Sequence, residues 1–167
     1  MTAIPPDDSV TRLFLRHTLA TLAYRASKTV RGAPEAFAGF KVTADSPSPR
    51  EILAQMGDLM DWALTMAEGA PKWSTTKPLP WDDEVNRFFT SIQRFDDYLE
   101  SGLPIAWDPG RIFQGAVADA LSHAGQLAML RRLSGHRIKS ENYAKAPIAV
   151  GNVGADQTPP DAANEFE

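Results

Sequence analysis

The chain has no cysteine, which removes disulfides, zinc ribbons, iron–sulfur ligation and a protein thiol nucleophile, and suits a reducing, cytoplasmic setting. It also lacks an excess of positive charge. Its 17 Lys and Arg stand against 21 Asp and Glu, a net of -4, so no basic field exists to hold a phosphate backbone or an anionic membrane. Nucleic acid is therefore not an expected partner. No apolar run approaches the ~20 residues that a bilayer-spanning helix needs; the stretch from Ala120 to Leu130 is interrupted by Ser122, His123 and Gln126. The opening Met-Thr-Ala-Ile-Pro-Pro-Asp-Asp has neither the basic nor the apolar region of a secretory signal. Gly102, Gly110 and Gly115 are scattered rather than gathered into a phosphate-cradling loop, and neither Ser122 nor Ser134 occupies a nucleophile elbow.

What is present is the composition of an ordinary globular domain, 43% hydrophobic and 23% charged over 167 residues. Such a length buries roughly two thirds of the unfolded chain's surface, so a metal, where one binds, serves function rather than folding. Pro and Gly punctuate four long segments of helical periodicity. The first spans about Asp8 to Val30, opens after Pro5-Pro6 with Asp7 or Asp8 as N-cap, closes at Arg31-Gly32, and carries Val10, Leu13, Phe14, Ala20 and Tyr24 as its apolar stripe. The second has Ser48 as N-cap, Pro49 at its first turn and Glu51 to complete a capping box; its stripe is Ile52, Met56, Leu59, Ala63 and Met66, widened by Gln55 and Trp62. The third starts near Pro80-Trp81 and repeats Trp81, Val85, Phe88, Ile92, Phe95 and Leu99 in four- and three-residue steps, with Asp82, Asp83, Asp96 and Asp97 assigned to solvent and the helix dipole. The fourth runs from about Pro109 to Ser134-Gly135.

Four such helices without a convincing strand predict an all-α four-helix bundle over residues 1–150, followed by an irregular C-terminal tail over 151–167. The linker Gly32 to Pro47 is too long for a tight turn, so at least one long crossover connection is expected, with a short extended piece near Phe40 to Val42.

Chemistry is sought where polar residues fall on a stripe that packing reserves for apolar ones. Stepping from Ile112 by four and three gives Ala116, Asp119, His123, Gln126 and Leu130, which places three polar side chains on one inward-facing line. Asp119 and His123 lie one turn apart, close enough to share a cation or a hydrogen bond. Gln55 falls on a core-facing line of the second helix and can meet them in the bundle centre. The sharp reading is a divalent metal site of His123, Asp119 and, more weakly, Gln55, for zinc, nickel, iron or manganese; the plain one is a buried pair that fixes helix register. His17, Trp62, Gln126 and Tyr143 are candidate pocket residues. His136, Arg131, Arg132, Arg137 and Lys139 read as a solvated helix end.

The order of these features resembles the DinB-like superfamily of four-helix bundles. The resemblance is carried by Arg50-Glu51-Ile52-Leu53-Ala54-Gln55-Met56, by Asp119-Ala120-Leu121-Ser122-His123-Ala124-Gly125-Gln126, and by Leu130-Arg131-Arg132. It implies a metal site in the bundle, with His123 at a family histidine position and Asp119 and Gln55 standing where the family usually has histidines. It further implies, for some relatives, metal-dependent thiol transfer or isomerisation, in which a small-molecule thiol is the cosubstrate. The competing expectation is a non-enzymatic bundle that binds a small ligand or dimerises after losing its metal. A homodimer is expected because flat apolar helix faces commonly pair.

Overall fold

The computed structural model describes residues 8–167. The expected cap at Asp7 and the Pro5-Pro6 breaker lie outside the described residues. Four long helices form the body: α1, Asp8–Val30; α2, Pro49–Ala67; α3, Trp81–Glu100; and α4, a continuous helix made of Pro109–Ile112, a wide π turn Phe113–Val117, and Ala118–Leu133. A two-stranded antiparallel ribbon, β1 (Ser140–Glu141) with β2 (Glu165–Phe166), and 3₁₀ turns at Glu35–Gly39, Tyr143–Lys145 and Ala162–Asn164 complete the regular structure of the described residues.

Local sequence sets the helix ends. Ser48 accepts from the Glu51 N–H while the Glu51 carboxylate accepts from the Ser48 N–H, the reciprocal capping box, with Pro49 in the first turn. Asp108 caps α4 through the Arg111 N–H, followed by Pro109. Gly32 (φ 61°) and Gly135 (φ 80°) take the left-handed conformation just past α1 and α4, where a side chain would be strained.

Lateral contacts fix the directions. Arg12 donates to the Leu99 carbonyl and Arg16 to Asp96, so α1 and α3 run antiparallel. Arg87 reaches Ala54 and Asp58, Arg94 lies by Asp61, and Tyr98 donates to the Ala67 carbonyl, so α2 and α3 run parallel. A parallel pair needs a return path. The 68–80 segment supplies it by climbing back along α2: the Lys72 N–H donates to Thr65, Thr76 donates twice to Asp58, and the Leu79 N–H donates to Glu84 at the head of α3. The 31–48 connection holds a 3₁₀ turn, Glu35–Gly39, which buries Phe37 edge-on to Trp81. No strand forms at Phe40 to Val42.

The stripes of α2 and α3 are largely as expected: Ile52, Met56, Leu59, Ala63 and Met66, and Trp81, Phe88, Ile92, Phe95 and Leu99 are buried, and Val85 is half-buried against the core. The stripe of α1 is as expected only at Ala20 and Tyr24, which are buried. Leu15, Leu19, Leu22, Ala23 and Ala26 face the core, whereas Val10, Leu13 and Phe14 are exposed. The buried face is half small or hydroxylic: Thr18, Ser27 and Thr29 bury by donating to carbonyls three residues back, so part of the core side reads as polar in the sequence. Asp96 is another correction. It is buried and takes a two-point hydrogen bond from Arg16, tying α3 to α1 rather than facing solvent.

The end of the chain folds back on the body. Val153 and Gln157 are buried, and Arg31 donates to the Gln157 carbonyl. Glu141 is buried under β2 and accepts from Tyr24 and Lys28, both at 2.8 Å. Burial and the Glu141 hydrogen bond push the Tyr24 phenol well above its ordinary pKa. Burial pulls Lys28 down, but its bonds to Glu141 and Glu165 outweigh that and hold the ammonium above its ordinary range. No helix among the described residues is long and apolar enough to cross a membrane.

Candidate functional site

The site begins with a defect in a helix. Along α4 the buried line is Ile112, Ala116, Ala120, Ala124, Leu127 and Arg131, one residue out of phase with the line counted from Ile112 at regular spacing. The wide turn at Phe113–Val117 explains it. A π turn takes in one extra residue, and one residue rotates everything after it by about 100°. Asp119, His123 and Gln126 therefore come to the flank of the helix instead of its seam. Gly115 lies within this turn, and a methyl group there would meet the Trp62 ring at 3.5 Å, so α2 and α4 approach closely at the turn.

On that flank His123 is mostly buried, with 12% of its side chain exposed, while Asp119 is 46% exposed. The ring Nδ1 lies 2.9 Å from Gln126 Oε1. An amide oxygen only accepts, so Nδ1 carries the hydrogen and the lone pair of a neutral ring falls on Nε2. Nε2 is buried and has no hydrogen-bond partner among the described residues, yet it sits 3.5 Å from Asp119 Oδ1. Two electron-pair donors facing each other at that separation repel unless a cation or a proton lies between them. At zinc bond lengths of about 2.0–2.1 Å, two tetrahedral ligands sit roughly 3.3–3.4 Å apart, so the pair fits a shared metal ion. Gln126 then has the part of the outer partner that fixes ring orientation. No group of three or more His, Asp or Glu side chains able to hold a metal occurs among the described residues, so the protein brings this pair and little more.

The other candidates disperse. Gln55 is exposed rather than core-facing; it lines a groove of about 410 Å³ with Glu51, Asp58, Trp73 and Thr76, and it makes no hydrogen bond to His123 or Asp119. Its position one residue before Met56 explains this, since Met56 takes the seam. Trp62 packs edge-on against Trp73 at 5.7 Å between centroids. Gln126 also borders a shallow apolar pocket with Ile52, Met129 and Leu130. His17 and Tyr143 share a separate cavity with Thr21 and Arg25. His136 and Arg137 are exposed, but Arg131 is buried and donates to the carbonyls of Thr29, Arg31 and His136, with burial pulling its pKa down. It is a strut between α4 and α1 rather than part of a solvated end.

Two polar clusters escape sequence reasoning. Arg87 gathers Asp58 and Glu84, both buried, with Asp61 nearby; hydrogen bonds to those acids outweigh burial and hold its pKa above the ordinary value. Glu141, in a segment without periodicity, gives no sequence signal. Arg25 does give one, being the third member of the line His17, Thr21, Arg25 along α1. Comparison with protein-family models, with curated proteins and with solved structures finds no match.

Proposed function

We propose that the protein is a DinB-like bundle whose working site is the flank of α4, where His123 Nε2 and the Asp119 carboxylate hold a divalent metal weakly and solvent or substrate completes the shell. The observation that carries this reading is the orientation of one ring: Nδ1 is committed to Gln126, and Nε2 is buried without a partner, 3.5 Å from a carboxylate oxygen. Imidazole with carboxylate suits zinc, nickel, iron or manganese. A metal there would lower the pKa of a water or of an arriving thiol, which points to thiol transfer, isomerisation or hydrolysis. The chain has no cysteine, so the thiol is a cosubstrate. Gln126 orients the imidazole and Asp119 offers the solvent-facing oxygen, while Gln55, exposed in the groove with Trp73 and Thr76, stands apart from the pair.

The test is elemental analysis of untagged protein after incubation with zinc, nickel, manganese and iron. Near-stoichiometric metal, lost in both His123→Ala and Asp119→Ala and kept in His17→Ala, supports the site. No metal under any condition, or unchanged stoichiometry in the first two variants, overturns it and leaves a small-ligand-binding bundle as the function.

Pairing of two copies is the second part of the proposal. Val10, Leu13 and Phe14 are 63%, 57% and 65% exposed and share one face of α1 at three- and four-residue spacing, a surface suited to a symmetric apolar contact. Sedimentation equilibrium tests it. A dimer that dissociates in Leu13→Glu supports the face, and a wild-type monomer at all concentrations removes it.

A further inference from the structure

The cavity on the outer side of α1 carries an unpaired cation. His17, Thr21 and Arg25 follow one another at one-turn intervals along the helix and, with Tyr143, Ala144, Ala146 and Ile148, line a half-open groove of about 460 Å³, within the range of small-ligand sites. Among the described residues no Asp or Glu lines this space. The Arg25 guanidinium carbon lies 4.0 Å from the centroid of the Tyr143 ring, a stacked arrangement that pins the side chain. Its Nε is buried and has no hydrogen-bond partner among the described residues. The contrast with other cations is sharp: Arg12, Arg16, Lys28 and Arg87 all reach carboxylates, and buried Arg131 reaches three carbonyls. The nearby acid Glu141 is already taken by Tyr24 and Lys28.

A buried donor without an acceptor costs free energy, and a planar fork held flat in a cavity of one charge sign is a receptor for a planar anion. We propose that this cavity binds a small organic carboxylate, its anionic end on Arg25 and its apolar body against Tyr143, Ala146 and Ile148. Thr21 donates its hydroxyl to the His17 carbonyl, which keeps its oxygen lone pairs available to a hydroxyl or amide on the ligand. Neither His123 nor Asp119 lines the cavity, so the inference stands apart from the metal reading of α4.

The probe is benzoate, followed by calorimetry and by amide chemical shifts, with benzamide as the uncharged isostere and inorganic phosphate as a competing anion. The expected result is saturable binding with a Kd of about 1 mM or tighter, with shifts centred on Thr21, Arg25 and Tyr143. Arg25→Gln should weaken it by about 10- to 100-fold, the range for losing a charge-assisted hydrogen-bonded pair, with Tm lowered by no more than about 4 °C, because stacking on Tyr143 rather than an ion pair holds Arg25; Arg25→Lys, which keeps charge but loses the fork, should fall between. The wild-type shift map needs no variant to fold. Absence of saturable shifts, equal affinity for benzamide, or full benzoate affinity in Arg25→Gln would overturn the proposal. Phosphate binding as tightly as benzoate would overturn the carboxylate assignment in favour of a simple oxyanion site.

Discussion

Replacing Arg87 by Met should be among the most damaging changes this bundle can suffer from one partly exposed side chain. Arg87 joins the parallel helices α2 and α3: it donates to Asp58, to Glu84 at 2.9 Å and to the Ala54 carbonyl at 3.1 Å. Its partners do not have water as an alternative, since the Asp58 and Glu84 side chains are 4% and 0% exposed. Met keeps the apolar length of the stem and removes the charge, leaving two carboxylates buried together without a cation. Breaking one buried pair costs about 3–5 kcal/mol, and for a domain of this size each kcal/mol moves Tm by about 2–4 °C, so Arg87→Met should lower Tm by roughly 6–20 °C. Thr76 and Leu79 still donate to Asp58 and Glu84, which argues for the lower half of that range. The control is Arg94→Met. Arg94 is 61% exposed and 3.6 Å from Asp61, so its loss should cost under about 0.5 kcal/mol. Both are read by urea denaturation followed by circular dichroism. A loss of less than about 1 kcal/mol in Arg87→Met, or equal losses in the two variants, would refute the claim that one guanidinium holds the parallel pair together.

Other expectations follow from the same contacts. Ser48→Ala should cost about 1 kcal/mol, the usual worth of an N-cap, in the same denaturation assay. The Ser48 hydroxyl and N–H hold Glu51 at a pKa of about 2; because the folded value is depressed, the stabilisation is present above the ordinary carboxylate range and is lost as pH falls through about 2, so the gap between wild type and Glu51→Gln should close between about pH 4 and pH 2. Screening at this half-exposed group keeps that gap under about 1 kcal/mol. Lys28→Met should leave Glu141 buried with Tyr24 alone and loosen the C-terminal segment, measured as faster amide exchange across residues 138–157. Since the folded Lys28 pKa is raised, the wild-type margin over this variant should be full below about pH 10.4 and shrink as pH rises through the raised value.

The sequence was most legible where one signal acts alone. The Ser48-Pro49-Glu51 start needs only local geometry, and the α3 stripe needs only hydrophobicity in strict period; both appear as read. Helix α1 shows what periodicity cannot weigh. Its core side combines Leu15, Leu19 and Leu22 with Ala, Thr and Ser, the hydroxyls being satisfied within the helix, while Val10, Leu13 and Phe14 near its start are left outside. A hydropathy pattern ranks side chains by transfer energy, but burial here is decided by how closely a helix of small residues can approach its neighbours.

The α4 site tests a deeper limit. Asp119, His123 and Gln126 are the right residues to notice, but a count in steps of 3.6 places them at the bundle centre, where an unpaired carboxylate is prohibitively costly. The extra residue absorbed at Phe113–Val117 moves them to the flank, and no composition rule announces it, since Gly115 and its close approach to Trp62 are visible only once α2 and α4 are packed. The displacement is what gives the site its chemistry. At the centre, Asp119 would need a permanent protein partner and could offer nothing to a ligand; at the flank it keeps 46% of its side chain in solvent while His123 keeps 12%. One electron-pair donor is thereby held out of water and the other stays reachable from it. Removing the wide turn by deleting Gly115 should therefore rotate the polar trio back toward the seam, abolish whatever metal binding the wild type has, and lower stability by burying Asp119. A deletion variant that still binds metal with wild-type stoichiometry would show that the turn does not position the site.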